Sequence, residues 1–233
     1  MTDVAGALPE LIAQADQALV RTVDGLSDDQ YAEPTQLPGW TRAHVVAHLA
    51  LNAEGLGGVL HGAHVGRPRP MYASVERRDA DIADLATASP AELRERLLAA
   101  TARFTDALGA MHEADWDGRF ERVPDGPTYA LTSVPLMRLR EVEIHHADLG
   151  AGYTRADWPE GFRRVLLDSL RAFRTVPLTV RATDLDGTWR YGDGDGGPTV
   201  TGTSADLAWW LTGRGSGEGL TSDTGELPEM EAW

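Results

Sequence analysis

The sequence predicts an α+β protein: a bundle of long helices over residues 1–152, then a small α+β domain over residues 153–233. Three observations carry this. Apolar residues recur at helical spacing in several long stretches of the first two thirds. Ser, Thr and Pro start signals and a glycine stop punctuate those stretches. After Gly152 the pattern changes to short alternating runs joined by Asp-Gly and Gly-Asp turns.

The first helix is expected over residues 8–26, where Leu8, Leu11, Ile12, Ala15, Leu19 and Val23 form one stripe. Ser27-Asp28-Asp29 begins a connection, and Leu37-Pro38-Gly39-Trp40 is a turn signal. Thr41 is placed to N-cap a helix from Arg42 to about residue 60, with His44 and His48 in its first two turns. A polar, proline-rich loop follows over 61–72, and residues 77–82 lead into helical sequence again. Ser89, Pro90 and Glu92 supply cap, N1 and N3 for a helix reaching about residue 108. Residues 116–129 read as loop and extended chain. A further helix begins near Ser133 and stops at Gly150, a C′ glycine. Residues 158–173 read as helix, and 178–181, 188–191 and 199–202 as strands. Thr203 and Asp206 cap a short helix through Trp209, Trp210 and Leu211, and the tail over 220–233 adds one strand.

Composition narrows the chemistry. With 233 residues and 42% apolar content the chain can bury real cores. No apolar run approaches the ~20 residues of a membrane span. Met1-Thr2-Asp3-Val4 lacks the basic start of a signal peptide, so a cytoplasmic location is expected. The formal charge of −15 argues against nucleic acid and for a monomer. There is no cysteine, so thiol chemistry must use a thiol from outside. All 21 basic residues are arginine, which excludes a Schiff-base lysine and with it pyridoxal-phosphate and class I aldolase chemistry. The missing lysine, the single Asn52 and the sparse Ile12, Ile82 and Ile144 point to a GC-rich bacterial genome.

Glu141 and His145 are four residues apart, and His44 and His48 repeat the spacing a hundred residues earlier. On a helix such a pair shares one face, about 5–6 Å apart at Cβ. Val45, Val46, Ala47 and Leu49 mark one helix as buried, and Val142, Ile144 and Leu149 the other. Buried imidazoles and carboxylates need compensation. If the two helices face each other, the residues make an N/O site suited to zinc with a ligand position to spare. Not all of these candidates can bind. His146 points elsewhere, about 100° around the helix from His145. Asp148 is placed either to orient His145 or to cap the helix end.

The stretch Pro38-Gly39-Trp40-Thr41-Arg42-Ala43-His44-Val45-Val46-Ala47-His48 resembles the second-helix motif of the mycothiol-dependent maleylpyruvate isomerases, members of the DinB-like metalloenzyme superfamily. The likeness continues at Met71-Tyr72, over 76–82 and 138–149, and at Gly213-Arg214-Gly215-Ser216 and 221–228. It therefore spans nearly the whole chain, and the tail segment points to the isomerase branch. The resemblance implies an N-terminal DinB-like four-helix bundle with a small C-terminal α/β domain. It implies zinc held by His48, Glu141 and His145, with His44 a neighbour, and mycothiol as thiol cofactor. It places Arg78 and Arg214 as clamps for a dicarboxylate substrate. The implied reaction is cis–trans isomerisation of maleylpyruvate to fumarylpyruvate in the gentisate route of aromatic degradation. Two other readings stay open: a mycothiol S-transferase using the same zinc site, and a non-catalytic zinc-binding regulatory module with His44 as fourth ligand.

Overall fold

The computed structural model describes residues 2–194 and 196–231; Met1, Asp195 and the final residues 232–233 of the expected tail lie outside it. The chain forms two compact units, Met1–Tyr153 and Thr154–Trp233.

The first unit contains α1 (Thr2–Gly25), α2 (Arg42–His64), α3 (Val75–Leu85), α4 (Pro90–Ala110) and α5 (Val134–Asp148). A short antiparallel hairpin, β1 (Arg119–Glu121) with β2 (Thr128–Ala130), separates α4 from α5. Helix α2 is central, packing on α3, α4 and α5, while α1 packs on α4 and α5. Its sequence explains the position. Val45, Val46, Leu49, Ala53, Leu56, Val59 and Leu60 are all buried, so α2 is apolar around most of its circumference. Gly57 sets the approach to α4, since a Cβ there would lie 3.3 Å from Phe104 Cα.

Two buried arginines fix the helices to one another. Arg138 on α5 donates to Asp16 Oδ1 on α1 (2.8 Å), Leu49 O (3.0 Å) and Asn52 Oδ1 (3.2 Å) on α2, and Thr101 Oγ1 on α4 (3.3 Å). Arg42, the first residue of α2, donates to Leu149 O at 2.8 Å and Gly150 O at 2.9 Å. It thus closes the C-terminus of α5, where carbonyls lack helical partners and cations are favoured. Gly150 has φ +61, the left-handed conformation a C′ residue adopts.

Some boundaries differ from expectation. Helix α1 starts at Thr2 and carries Pro9 inside, because the apolar stripe marks only the turns that pack. Helix α2 runs to His64. Gly62 lies within it, at a close approach where a Cβ would meet Arg67 O at 2.7 Å. The hairpin escapes a periodicity reading because its strands are three residues each.

The second unit contains α6 (Glu160–Ser169), β3 (Leu178–Ala182), β4 (Thr188–Tyr191), β5 (Thr199–Gly202), α7 (Ser204–Leu211) and β6 (Thr221–Ser222). The strands run in the order β4-β3-β5-β6. β3 and β5 are parallel, and the other neighbours are antiparallel. Alternation buries Leu178, Val180 and Ala182 on one face of β3. The expected helix over 158–173 is α6 followed by one 3-10 turn, with Pro159 holding its start. Thr203 caps α7 as expected, its Oγ1 accepting the Asp206 N–H at 3.2 Å. Among the described residues no helix is long and apolar enough to cross a membrane.

Candidate metal centre

The site grows from the start of α2 and the last turns of α5. Gly39, with φ +77, turns the chain into Thr41, whose extended backbone (φ −91, ψ 172) begins α2. His44 Nδ1 lies 2.8 Å from Thr41 Oγ1 and accepts the Thr41 N–H at 3.3 Å. That use of His44 at the helix start leaves His48, one turn on, to face α5. His48 Nε2 stands 2.8 Å from Glu141 Oε2, and His145 Nε2 stands 3.3 Å from the same oxygen. The two imidazoles are 4.7 Å apart and nearly perpendicular, at 86°. One ligand atom from each of His48, Glu141 and His145 falls within 4.8 Å of the others, a cluster without His44. The ring of His146 instead stacks on Tyr153 at 3.7 Å, with Nε2 2.8 Å from Thr22 Oγ1.

Charge and burial prepare these groups to bind a cation. Burial lowers the His48 pKa to about 4, outweighing its hydrogen bond to Glu141, so its ring is neutral near pH 7. Burial alone would raise Glu141, but hydrogen bonds from His145 and His48 hold its carboxyl well below the ordinary range. Burial also opposes charge on His145, and hydrogen bonds to Asp148 and Glu141 overcome it, raising its pKa. Asp148 is fully buried and its Oδ2 is 2.8 Å from His145 Nδ1, which leaves Nε2 facing Glu141. A neutral imidazole, an ionised carboxylate and a second imidazole oriented by a carboxylate behind it make a donor set that fits zinc.

Arg78, on α3, comes to the same place. Its Nη2 lies 3.3 Å from His48 Nδ1, Nη1 donates to Asp79 Oδ1 at 2.7 Å, and its guanidinium lies 5.8 Å from the Tyr72 ring centre. Arg69, Tyr72, Arg77 and Arg78 line a cleft of about 260 Å³ that also includes Glu54 and Asp81. Trp40 sets its ring edge-on to His48 at 5.5 Å. Arg214 belongs to the second unit, between Gly213 (φ +75) and Gly215 (φ +70). Its Nη1 donates to Thr212 O at 3.2 Å and its guanidinium lies over Trp209. Sequence reasoning gave Arg78 to a substrate carboxylate and missed its approach to the ring of His48. Only the turn ahead of α3 decides that, and residue spacing carries no signal for it.

The N-terminal domain model of mycothiol maleylpyruvate isomerase matches residues 12–150, and the corresponding C-terminal domain model matches 153–232. The chain belongs to the mycothiol maleylpyruvate isomerase family. A crystal structure of the mycothiol-dependent maleylpyruvate isomerase superposes with a TM-score of 0.90 at 30% identity, covering 100% of both chains. An uncharacterised protein of Mycobacterium tuberculosis is 29% identical over 237 residues, covering 92% of this chain and 87% of that one. The four-helix-bundle protein YfiT from Bacillus subtilis shares the fold at TM-score 0.55 and 19% identity, over 68% of this chain and 91% of its own. The architecture is thus that of the family, α+β with an N-terminal helical bundle whose fold YfiT shares.

Proposed function

We propose that this family member is a zinc- and mycothiol-dependent enzyme that isomerises maleylpyruvate to fumarylpyruvate, in the cytoplasm, within the gentisate route. The convergence of His48, Glu141 and His145 carries the reading. These residues would hold the zinc and leave a position to spare. When bound there, ion and thiol together supply reversible addition of a sulfur nucleophile, which turns the substrate's double bond single long enough to rotate. The chain's own residues do the rest. Asp148, 2.8 Å from His145 Nδ1, would hold a proton on that nitrogen and leave Nε2 as the donor to the ion. Trp40 and the burial of His48 keep water from that ring. Arg78 offers a substrate carboxylate a planar fork that stays charged, and Arg214 is the second arginine proposed to act on the dicarboxylate.

The test combines metal content with turnover. His48→Ala, Glu141→Ala and His145→Ala should each lose one zinc equivalent relative to wild type. Wild type should form fumarylpyruvate only when mycothiol is present. Unchanged zinc in all three variants removes the ligand assignment. Zinc-loaded wild type that consumes thiol without making fumarylpyruvate identifies a transferase instead.

A further inference from the structure

A second cluster lies at the far end of α2. His64 is its last residue, about 24 Å along the helix from His48 at 1.5 Å per residue. His112 and Asp115 sit on the 3-10 turn that follows α4. His64 Nδ1 is 2.9 Å from Asp115 Oδ2, and the two imidazoles are 4.9 Å apart at 74°. Asp115 Oδ2 also accepts the His112 backbone N–H at 2.8 Å, which fixes the carboxylate between the rings. One ligand atom from each residue falls within 4.8 Å of the others. The side chains of His64 and Asp115 are only 27% and 18% exposed.

We propose that His64, His112 and Asp115 form a second site for a divalent transition-metal ion of the zinc and nickel class. The donor set repeats that of the first centre, two imidazoles and one carboxylate. Its closest nitrogen–oxygen approach, 2.9 Å, is close to the 2.8 Å between His48 and Glu141. An ion pair would need only His64 and Asp115; capping of the 3-10 turn brings the exposed His112 beside them, so that a second imidazole is on hand as a third donor. Imidazole ligands select transition metals over magnesium and calcium, which take oxygen. A bound ion would join the end of α2 to the connection between α4 and β1. Because only the folded chain presents this triangle, binding raises thermal stability by mass action.

The experiment titrates metal-free, full-length protein with zinc chloride to about 50 μM free zinc, far enough above a micromolar dissociation constant to fill such a site. Wild type should bind two equivalents. His112→Ala and Asp115→Asn should each bind one, and so should His48→Ala. Zinc should still raise the melting temperature of His48→Ala, and this shift should vanish in His48→Ala/His112→Ala. A wild type that binds one equivalent, abolished by His48→Ala, overturns the proposal. So does a second equivalent that survives both His112→Ala and Asp115→Asn. A single equivalent lost in His112→Ala but kept in His48→Ala supports this site and rejects the first centre.

Discussion

Arg78 stands between two roles, touching His48 Nδ1 with Nη2 while lining the cleft beside Tyr72. Replacing it with alanine should leave zinc content unchanged and lower kcat/KM about 10- to 100-fold, the worth of one or two charged hydrogen bonds. Steady-state kinetics with maleylpyruvate, alongside metal analysis, checks both halves. Asp148 acts through His145. Asp148→Ala should weaken zinc binding about 10- to 100-fold, as loss of a carboxylate behind a histidine ligand does, measured by chelator competition. At this scale the sequence was partly legible. Glu141 and His145 could be paired because i, i+4 is a local relation. The spacing alone does not separate His48 from His44; the capping contact of His44 with Thr41, three residues away, and the facing of α5 decide it. His64, His112 and Asp115 were invisible because their meeting depends on where α2 and the turn after α4 end in space.

Helix ends and helix junctions carry the next level. Arg138 joins α1, α2, α4 and α5 through one fully buried guanidinium. Arg138→Leu should cost about 3–5 kcal/mol in denaturant unfolding, because Asp16 is left as an unpaired buried charge. Adding Asp16→Leu should recover most of that loss, since neither charge then remains buried. In the second unit, Asp184 holds the start of α7, accepting from the Ser204 N–H at 2.7 Å and the Ser204 hydroxyl at 2.9 Å. Burial pushes its carboxyl up, but those two hydrogen bonds and Arg163 outweigh it and hold the pKa below 3.8. A depressed folded pKa contributes stability above the unfolded value and loses it as pH falls through the folded one. Acid unfolding followed by circular dichroism should therefore show a loss below pH 3.8 in wild type that is smaller in Asp184→Asn. Caps of this kind were readable at Ser89, Thr203 and Gly150, where the side chain or the missing Cβ acts within a few residues. The Arg138 junction was not, because an arginine in a helix looks the same in sequence whether it meets solvent or four helices.

For the molecule as a whole, the proposed site residues are divided in sequence. The ligands and Arg78 lie in the first unit, and Arg214 in the second. Arg214→Ala should keep full zinc occupancy and lose turnover by a similar 10- to 100-fold factor, about one charged contact, in the same kinetic assay. The division into two units follows from a change in pattern near Gly152, from 3.6-residue periodicity to alternation, which a sequence displays directly. Inside the first unit, Arg42 grips Leu149 O and Gly150 O, so α2 and α5 are tied by contacts that involve no ligand atom. The helices that carry the donor triangle are thus held together by the fold's own contacts, independently of the proposed ion. Two imidazoles and a carboxylate are donors that zinc and cobalt both accept, so the donor set alone does not separate them and metal availability helps to decide which ion is held. If the proposed site holds zinc, the ion it carries follows the cell's supply, and cells starved of zinc and fed cobalt should yield a folded protein with cobalt in its place.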